Sequence, residues 1–297
     1  MIFWLENILA FFQKLLDACV SLGKVLLMSR FSLPKFQKVK ERASVLGNGP
    51  SLNHALEESG QFIKSTDVYC VNNFALSKVY TVVQPQNYVM LDPAYFLYSP
   101  TNAARKDVEQ NINAILENTS WQMRLFVPSG FRHSFIVSEI IKHKPNIKVY
   151  YFNYTIVRGF EWFRHWFFRK NLGMPQCQNI LAACTYLTIL QGYKEVYLWG
   201  ADHSWHEEIR INENNELEMR QLHFYDNQNQ IKHEKVIDVR NNSRPKLHAQ
   251  FLSLHKAFFS YEILQKFALS MEVKILNASK KSYIDAFDRV SIRDFED

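Results

Sequence analysis

The sequence lacks the cysteine patterns of zinc proteins and disulfide-rich proteins. Its 297 residues include four cysteines, without a Cys-x-x-Cys pair or a zinc-ligand spacing. All four lie in segments with strand or helix patterns: Cys19, Cys70, Cys177 and Cys184. We therefore expect free, buried thiols in a reducing compartment. Disorder is excluded as well, because 47% of the residues are hydrophobic and a chain of this length can bury a large core.

A strong excess of basic residues is also missing. Lysine and arginine number 35 against 29 aspartates and glutamates, which gives a net charge of +6. The basic residues do not cluster as they do in nucleic-acid-binding proteins, so no nucleic-acid partner is expected. The moderate positive charge favours phosphorylated substrates or anionic lipids. Aromatic residues make up 14% of the chain, and we expect some of them to line a ligand cleft or a membrane-facing surface.

The N-terminal segment has no uninterrupted apolar run long enough to span a membrane. Residues 2–28 are mostly apolar, but Glu6, Lys14, Asp17 and Lys24 interrupt them. On a helix these charges fall on one narrow polar face, opposite a broad apolar face, as in helices that lie in the membrane interface. A secretory signal is disfavoured, because neither a basic start nor a small-residue cleavage site is present.

Basic residues follow this segment, with Glu41 as the one acid among them. They are Arg30, Lys35, Lys38, Lys40 and Arg42. Attraction to anionic lipid would add to insertion of the apolar face, so residues 1–42 predict contact with an anionic membrane surface. The alternative is a helix packed on the body of the protein or within a homo-oligomer.

From residue 43 onward, short apolar runs alternate with helical patterns. This alternation predicts an α/β fold, with a mostly parallel sheet and helices on both faces. The candidate strands are 43–48, 67–72, 87–92, 123–128, 147–153, 195–201 and 272–277. The candidate helices are 51–59, 102–117, 132–143, 178–191 and 247–270. We divide the chain into an amphipathic helix, 1–34, and one α/β domain, 35–297.

Two segments interrupt the alternation. Residues 154–176 are crowded with aromatic and basic side chains, and residues 204–246 are long, polar and rich in asparagine and histidine. Long insertions after strands commonly form lids, which is what we expect of both. The alternative for 154–176 is a second membrane-contact patch.

The turn Gly47-Asn48-Gly49-Pro50-Ser51 follows the first strand. Its glycines allow the backbone close to a ligand, and Ser51 is expected to cap a helix whose N-terminus faces an anion. Ligands of parallel sheets bind beyond the carboxyl ends of the strands. We therefore expect this turn to meet the residues after four other strands. These are Asn72-Asn73, Asp92-Pro93, 128–130 and 200–204.

Two clusters in the C-terminal half carry acid and imidazole groups. Asp202, His203 and His206 have ligand types suited to a divalent ion, but consecutive residues point in different directions unless the loop turns, and no Asp-x-Asp motif is present. We favour Asp202 as a positioning residue and His203 as a donor-site or acid-base residue. The second cluster, 223–226, either stacks on a base or sugar, bringing His223 or Tyr225 to a phosphate, or forms a surface turn with one aromatic anchor.

Four segments together resemble the bacterial sialyltransferases of glycosyltransferase family 42 in order and spacing. They are VLGNGPSL (45–52), VNNF (71–74), LDP (91–93) and LQGYKEVYLWGAD (190–202). The resemblance covers most of 43–290. It implies a Rossmann-like fold that binds a cytidine monophosphate (CMP) sugar and transfers the sugar to a saccharide hydroxyl with inversion, without a required metal. Taken together with the membrane contact expected of residues 1–42, it predicts bacterial surface-glycan synthesis on a glycan or glycolipid acceptor at the cytoplasmic face of the inner membrane.

The resemblance also assigns site residues by position. The family's turn asparagine falls on Asn48, and its catalytic histidine, before the last long helix, falls on His248. Its third donor-site asparagine is replaced by Asp92. The predicted catalytic residues are His248, His203 and Asp202. The predicted nucleotide-binding residues are Gly47, Asn48, Gly49, Ser51, Asn72, Asn73, Asp92, Gln178, Asn179, Gly200, Ser204 and Tyr225.

Two other functions stay open at the level of sequence. A magnesium-dependent diphosphokinase shares this kind of domain and turn, and Asp92 and Asp202 would be available as metal ligands. A non-catalytic membrane scaffold is the other alternative, because Asp92, Asn179 and Ser204 depart from the family pattern.

Overall fold

A computed structural model describes residues 2–34, 36–101, 106–226, 231–237 and 243–291. Its helices are α1 (Ile2–Met28), α2 (Leu52–Ser65), α3 (Val79–Val83), α4 (Pro93–Leu97), α5 (Lys106–Asn118), α6 (Phe135–His143), α7 (Glu161–Arg169), α8 (Ile180–Gln191) and α9 (Leu247–Ser270). Its strands are β1 (Arg42–Leu46), β2 (Asp67–Val71), β3 (Asn87–Val89), β4 (Met123–Pro128), β5 (Ile147–Phe152), β6 (Glu195–Trp199), β7 (Ile209–Ile211), β8 (Leu217–Met219), β9 (Glu234–Lys235), β10 (Lys274–Asn277) and β11 (Asp288–Arg289).

Eight strands form one parallel sheet in the order β11-β10-β6-β1-β2-β3-β4-β5. All seven predicted strands lie in it, so the predicted α/β class is confirmed. Their continuous apolar runs are typical of parallel strands covered on both faces, and β1 is buried from Ala43 to Leu46. The short strands β7, β8 and β9 form a separate antiparallel sheet within the 204–246 insertion.

Helices cover both faces of the large sheet, as predicted. One core contains side chains from α7, α8 and α9, and the other contains side chains from α2 to α6. Helix α8 lies between the sheet and α9, so every residue from Leu181 to Ile189 is buried. Asn179 caps its start, and Gly192, with a φ of +70°, ends it in the left-handed conformation that glycine favours.

The C-terminal half of α1 packs on the segment that links β5 to α8. The Arg158 backbone N–H donates to the Ser21 hydroxyl at 2.9 Å, and the Ser29 hydroxyl donates to the Leu172 carbonyl at 2.7 Å. Ala18 lies against Gly159. Residues 4–16, by contrast, are all exposed. The long N-terminal helix is therefore present, with one half packed on the body. No helix among the described residues is long and apolar enough to cross a bilayer.

The aromatic segment 154–176 packs against α1. The rings of Phe11 and Phe160 approach to 5.4 Å, and Phe168 packs on Phe267 of α9 at 5.3 Å. Trp162 and Trp166, in the same segment, are exposed. The expectation of a lid is thus wrong for this segment, because its aromatic side chains are used to hold α1 and α9.

The four cysteines are free, as predicted. Cys70, Cys177 and Cys184 are buried, but Cys19 is exposed on α1, so the expectation of burial is wrong for Cys19. Burial raises the pKa of each of the three buried thiols well above its ordinary value. These three thiols therefore stay protonated and unreactive near neutral pH.

Candidate active site

The cleft lies where the strand order reverses. The chain runs outward from β1 to β5 on one side of the sheet and then returns to place β6 on the other side of β1. Such switch points are the usual ligand sites of open parallel sheets. A cavity of about 530 Å³ opens there. Its lining comes from the ends of β1, β2, β3 and β6, the start of α8, parts of 202–225 and one face of α9.

Most of the predicted site residues meet in this cavity. Those that line it are Gly47, Asn48, Gly49, Asn72, Asn73, Asp92, Gln178, Asn179, Gly200, Asp202, His203, Ser204 and Tyr225. Residues 128–130 do not line it, so that part of the expected convergence is wrong. They follow β4, which is three strands away from β1, or about 14 Å at the usual strand spacing.

The turn after β1 packs directly on the turn after β6. The Gly49 N–H donates to the Gly200 carbonyl at 2.9 Å, and a Cβ at Gly49 would lie only 2.6 Å from that oxygen. Gly200 has a φ of +61°, in the left-handed region that favours glycine. The close backbone approach that we predicted for a ligand is therefore made, at Gly49, by the protein's own chain.

The side chain of Asp202 lies at the N-terminus of α2. Its carboxylate accepts from the Ser51 N–H at 3.0 Å and from the Ser51 hydroxyl. The Ser51 side chain makes no capping hydrogen bond to α2, which corrects its predicted role. Because the helix N-terminus already faces a carboxylate, it is not the open anion site that the sequence indicated. Burial raises the pKa of Asp202, against the lowering effect of the Ser51 hydrogen bonds.

Two buried amide atoms in the lining have no hydrogen-bond partner among the described residues. Asn48 donates through Nδ2 to the Val71 carbonyl at 3.3 Å, but its Oδ1 has no donor. Asn179 accepts through Oδ1 from the Ala182 N–H at 2.9 Å, but its Nδ2 has no acceptor. Buried polar atoms are normally paired, so this acceptor and this donor favour a polar ligand in the cleft.

The asparagines after β2 form hydrogen bonds with helix α5. The Asn72 carbonyl accepts from Asn111 Nδ2 at 3.1 Å, and Asn72 itself has a φ of +44°. Asn73 donates through Nδ2 to Asp107 at 3.2 Å. Asp92 caps α4 by accepting from the Ala94 N–H at 2.9 Å. These predicted ligand contacts therefore have structural partners within the protein as well.

His203 is held neutral by its surroundings. Burial lowers its pKa to about 3. Its Nε2 lies 2.7 Å from the Tyr261 hydroxyl, which in turn donates to Asn179 Oδ1 at 3.1 Å. Since that hydroxyl has one proton to donate, His203 must donate to it through Nε2 and keep Nδ1 unprotonated. A group with so low a pKa is a weak general base, so the arrangement favours a positioning role for His203.

His248 lies outside the cleft. It is exposed in the first turn of α9, whereas Gln250, Ser253, Leu254 and Ala257 supply the lining from that helix. Successive helical residues are rotated by about 100°, which places His248 on the opposite side of α9 from these four. His248 is therefore not in a position to act as the predicted base.

Residues 223–226 form a compact group at the cleft. The Phe224 N–H donates to the Asn48 carbonyl at 2.9 Å, and Asn53 Nδ2 donates to the Phe224 carbonyl at 2.7 Å. His223 and Tyr225 line the cavity with their rings stacked, 5.1 Å apart. His223 Nδ1 is 2.9 Å from Asp226. The sequence placed Asp226 in the same cluster as His223 and Tyr225 but assigned it no role. The sequence feature that could have indicated this contact is a carboxylate three residues after a histidine in a turn-forming segment.

The acid-imidazole cluster after β6 does not converge. Asp202 and His203 reach the cleft, whereas His206 is exposed with its ring against Tyr283. Among the described residues, no group of three histidine, cysteine, aspartate or glutamate side chains is placed to hold a metal ion. The alternative of a metal centre built from these three residues is therefore not supported by their positions.

The charges of the lining are mainly acidic within the described part of the chain. The carboxylates are Asp92, Asp107, Asp202 and Glu208, and the guanidinium is Arg220. Arg220 pairs with Glu208 at 2.6 Å. A phosphate bound in this cleft would therefore have Arg220 as its basic partner, together with neutral donors.

No protein-family model matches the chain, and no curated protein matches it. Among solved structures, 93% of the chain is similar to a MAf glycosyltransferase from Magnetospirillum magneticum AMB-1, with 11% sequence identity and a TM-score of 0.49. The chain spans 38% of that protein.

Proposed function

We propose that this protein is an inverting glycosyltransferase that uses a CMP sugar as donor and a saccharide hydroxyl as acceptor. The observation that carries the proposal is the pair of unpartnered amide atoms in the cleft, Asn48 Oδ1 and Asn179 Nδ2. Together they offer one acceptor and one donor, which suits a nucleoside whose base and ribose carry both kinds of group. The resemblance of the VLGNGPSL and GYKEVYLWGAD segments supports the choice of CMP.

The donor phosphate lies, in this proposal, on the side of the cleft away from the N-terminus of α2. Asp202 already fills that helix end and would repel the phosphate. Arg220 and Ser204 line the cavity and supply charged and neutral donors for the departing phosphate. Tyr225 lines it too, and burial raises the pKa of its hydroxyl, which stays a donor at neutral pH.

A nucleotide screen by thermal unfolding tests the proposal. CMP should raise the melting temperature, because a ligand that binds only the native state stabilises it by mass action. ATP should raise it less, with or without magnesium. A preference for ATP with strict magnesium dependence would overturn the proposal in favour of the diphosphokinase, for which the acidic lining would then supply the cation site. No response to any nucleotide would favour a scaffold.

Amide variants sharpen this test. Asn48→Ala removes the unpartnered acceptor, and Asn179→Asp keeps the α8 cap while replacing the unpartnered donor with an oxygen. Each should weaken CMP binding roughly 3- to 10-fold, the usual worth of one neutral hydrogen bond or somewhat more. Asn113→Ala is the matched control, because Asn113 is exposed on α5 and outside the cleft. Unchanged affinity in both variants would remove the main support for the proposal.

We also propose that the protein works at an anionic membrane surface, on the cytoplasmic side of the bacterial inner membrane. Residues 4–16 of α1 are exposed and mostly apolar, and Phe11 joins them to the α7 region through Phe160. Trp162 is 72% exposed and Trp166 is 51% exposed. Tryptophan is favoured at membrane interfaces, so α1 and α7 together would form the membrane-facing surface.

A further inference from the structure

We propose that His223, oriented by Asp226, is the base that takes the proton of the acceptor hydroxyl. This inference rests on the proposed sugar transfer and names a residue that the sequence resemblance did not assign. An inverting transfer needs one base beside the acceptor, and histidine is suited to that role near neutral pH.

A single carboxylate oxygen fixes the imidazole. Asp226 Oδ2 lies 2.9 Å from His223 Nδ1 and accepts from the His223 backbone N–H at 3.0 Å. An ionised carboxylate only accepts, so Nδ1 carries the proton and Nε2 keeps its lone pair. The ring stacks on Tyr225 with an interplanar angle of 5°. No hydrogen bond occupies Nε2 within the described residues, which leaves it available to an acceptor hydroxyl.

The backbone ties His223 to the proposed nucleotide site. Phe224 bonds to the Asn48 carbonyl through its N–H and to Asn53 Nδ2 through its carbonyl. Its ring packs on Phe74 at 5.4 Å. The imidazole is therefore held at a fixed place relative to Asn48, on the wall of the same cavity. A base must be placed in this way relative to the donor for its geometry to contribute to the rate.

Three other titratable side chains of the cleft are less suited to the role. His203 has a pKa lowered to about 3 and is bound to Tyr261. Asp202 is engaged by Ser51, and Glu208 is paired with Arg220. His223 is half-exposed at the cavity and combines an oriented ring with an unoccupied nitrogen.

The transfer step balances on these groups. The proton of the acceptor hydroxyl passes to His223 Nε2, and the electron pair of that oxygen forms the new bond to the anomeric carbon. The bond between the anomeric carbon and the phosphate oxygen breaks, and its electrons stay on the phosphate, so CMP leaves. The Asp226 carboxylate accepts from Nδ1–H and stabilises the imidazolium. The product glycoside, CMP and the proton on His223 Nε2 together account for all atoms of the two substrates, and the proton then passes to water.

The test compares His223→Asn with His248→Asn in the full chain. The probe reaction uses CMP-N-acetylneuraminic acid with lactose, and released CMP is measured. We expect His223→Asn to lower kcat by about 10²- to 10⁴-fold, the usual contribution of a general base, while CMP affinity changes less than about twofold. His248→Asn should keep wild-type kcat, because its side chain lies outside the cleft.

Asp226 is a positioning residue, so its test needs a separate readout. Asp226→Asn should lower kcat at nearly constant KM, and Asp226→Glu should restore part of it. Added imidazole should restore turnover in His223→Ala, which a purely structural role would not allow. Nitrogen NMR of the histidine rings should show His223 protonated on Nδ1, and Asp226→Asn should abolish that preference.

The outcomes separate the two proposals. Wild-type kcat in His223→Asn, with turnover lost in His248→Asn, overturns the role of His223 but leaves sugar transfer intact. Release of CMP by the wild-type protein together with failure of imidazole rescue also counts against the base. If the wild-type protein binds CMP but transfers sugar from no CMP, UDP or GDP sugar, the proposed function fails, and the base assignment fails with it.

Discussion

Ser51 and Asp202 are 151 residues apart in the sequence, yet they share two hydrogen bonds at the N-terminus of α2. This contact joins the loop after β1 to the loop after β6 across the point where the strand order reverses. It also places an internal carboxylate where a ligand phosphate would otherwise bind. The cleft is therefore shaped by an interaction within the protein, and its polar ligand is expected beside this contact.

Replacing Asp202 by asparagine should change how stability depends on pH. Burial raises the pKa of Asp202 above its ordinary value of 3.8, so the folded state binds this proton more tightly than the unfolded chain. The resulting stability is fully present below the unfolded pKa and is lost as pH rises through the raised folded pKa. The free energy of unfolding of the wild type minus that of Asp202→Asn should therefore fall as pH rises through this window.

Urea denaturation of both proteins over a pH series measures this difference, and the subtraction removes the contribution of other carboxyl groups. Ser51→Ala is a useful companion, because it removes one hydrogen bond that favours the ionised form. This variant should raise the pKa of Asp202 in the folded state further, so the decrease in stability should extend to higher pH. A difference that is constant or rises with pH would contradict the prediction.

Gly49→Ala should destabilise the protein by about 1–3 kcal/mol, the usual cost of overpacking a filled site. Its new Cβ would lie 2.6 Å from both the Gly200 carbonyl oxygen and Asp202 Oδ1, so one of the two turns must move. Gly60→Ala is the matched control within α2, because a Cβ there meets nothing within 4 Å. The control should be neutral or slightly stabilising, since alanine is the better helix former. Equal melting temperatures for the two variants would refute the argument.

The sequence predicted seven of the eight strands of the large sheet, because most of these seven are nearly uniformly buried, whereas the exposed two-residue strand β11 was missed. Continuous apolar runs mark β1, β2 and β4, whatever their partners. Helices α3 and α4 were missed, because five residues are too few to show a helical period. Helix α7 was missed for another reason. Phe168 of α7 packs on α9, and Phe160, just before α7, packs on α1, so the arrangement depends on contacts that are distant in sequence.

The sequence predicted which segments form the site, but it did not predict the hydrogen bonds between their side chains. Parallel topology alone brings Asn48, Asn72 and Asp202 to one edge of the sheet. The chain of contacts from His203 through Tyr261 to Asn179 spans three elements, so no local pattern reveals it. His248 was placed by correspondence with a family motif, and such a correspondence does not fix which side of a helix faces the cleft.

His203 should give the opposite pH dependence from its neighbour Asp202. Burial lowers its pKa from the ordinary value of 6.5 to about 3, so the unfolded chain binds the proton more tightly. Stability from this group is complete above the unfolded pKa and is lost as pH falls toward the folded value. The free energy of unfolding of the wild type minus that of His203→Gln should therefore decrease as pH is lowered from about 7 toward about 4.

Tyr261→Phe tests the contact that fixes His203. The variant keeps the ring packing and removes the hydroxyl between His203 Nε2 and Asn179 Oδ1. Loss of one buried partner should cost about 1–3 kcal/mol at neutral pH, because a buried donor is left without an acceptor. Chemical denaturation gives the value. A cost within error of zero would mean that water or an alternative rotamer replaces the hydroxyl.

Membrane binding should depend on α1 and α7 together. Leu9→Glu and Phe12→Glu change exposed residues of α1, and Trp162→Ala with Trp166→Ala removes the exposed indoles of α7. Each pair should weaken binding to vesicles of phosphatidylcholine and phosphatidylglycerol by at least about tenfold, since burial of apolar area supplies the binding energy. Co-sedimentation measures it, with Ile141→Ala, which is exposed on α6, as the control. Loss of binding in the α1 pair alone would restrict the membrane surface to α1. Unchanged binding in both pairs would favour the alternative, in which the exposed half of α1 packs against a second copy of the chain.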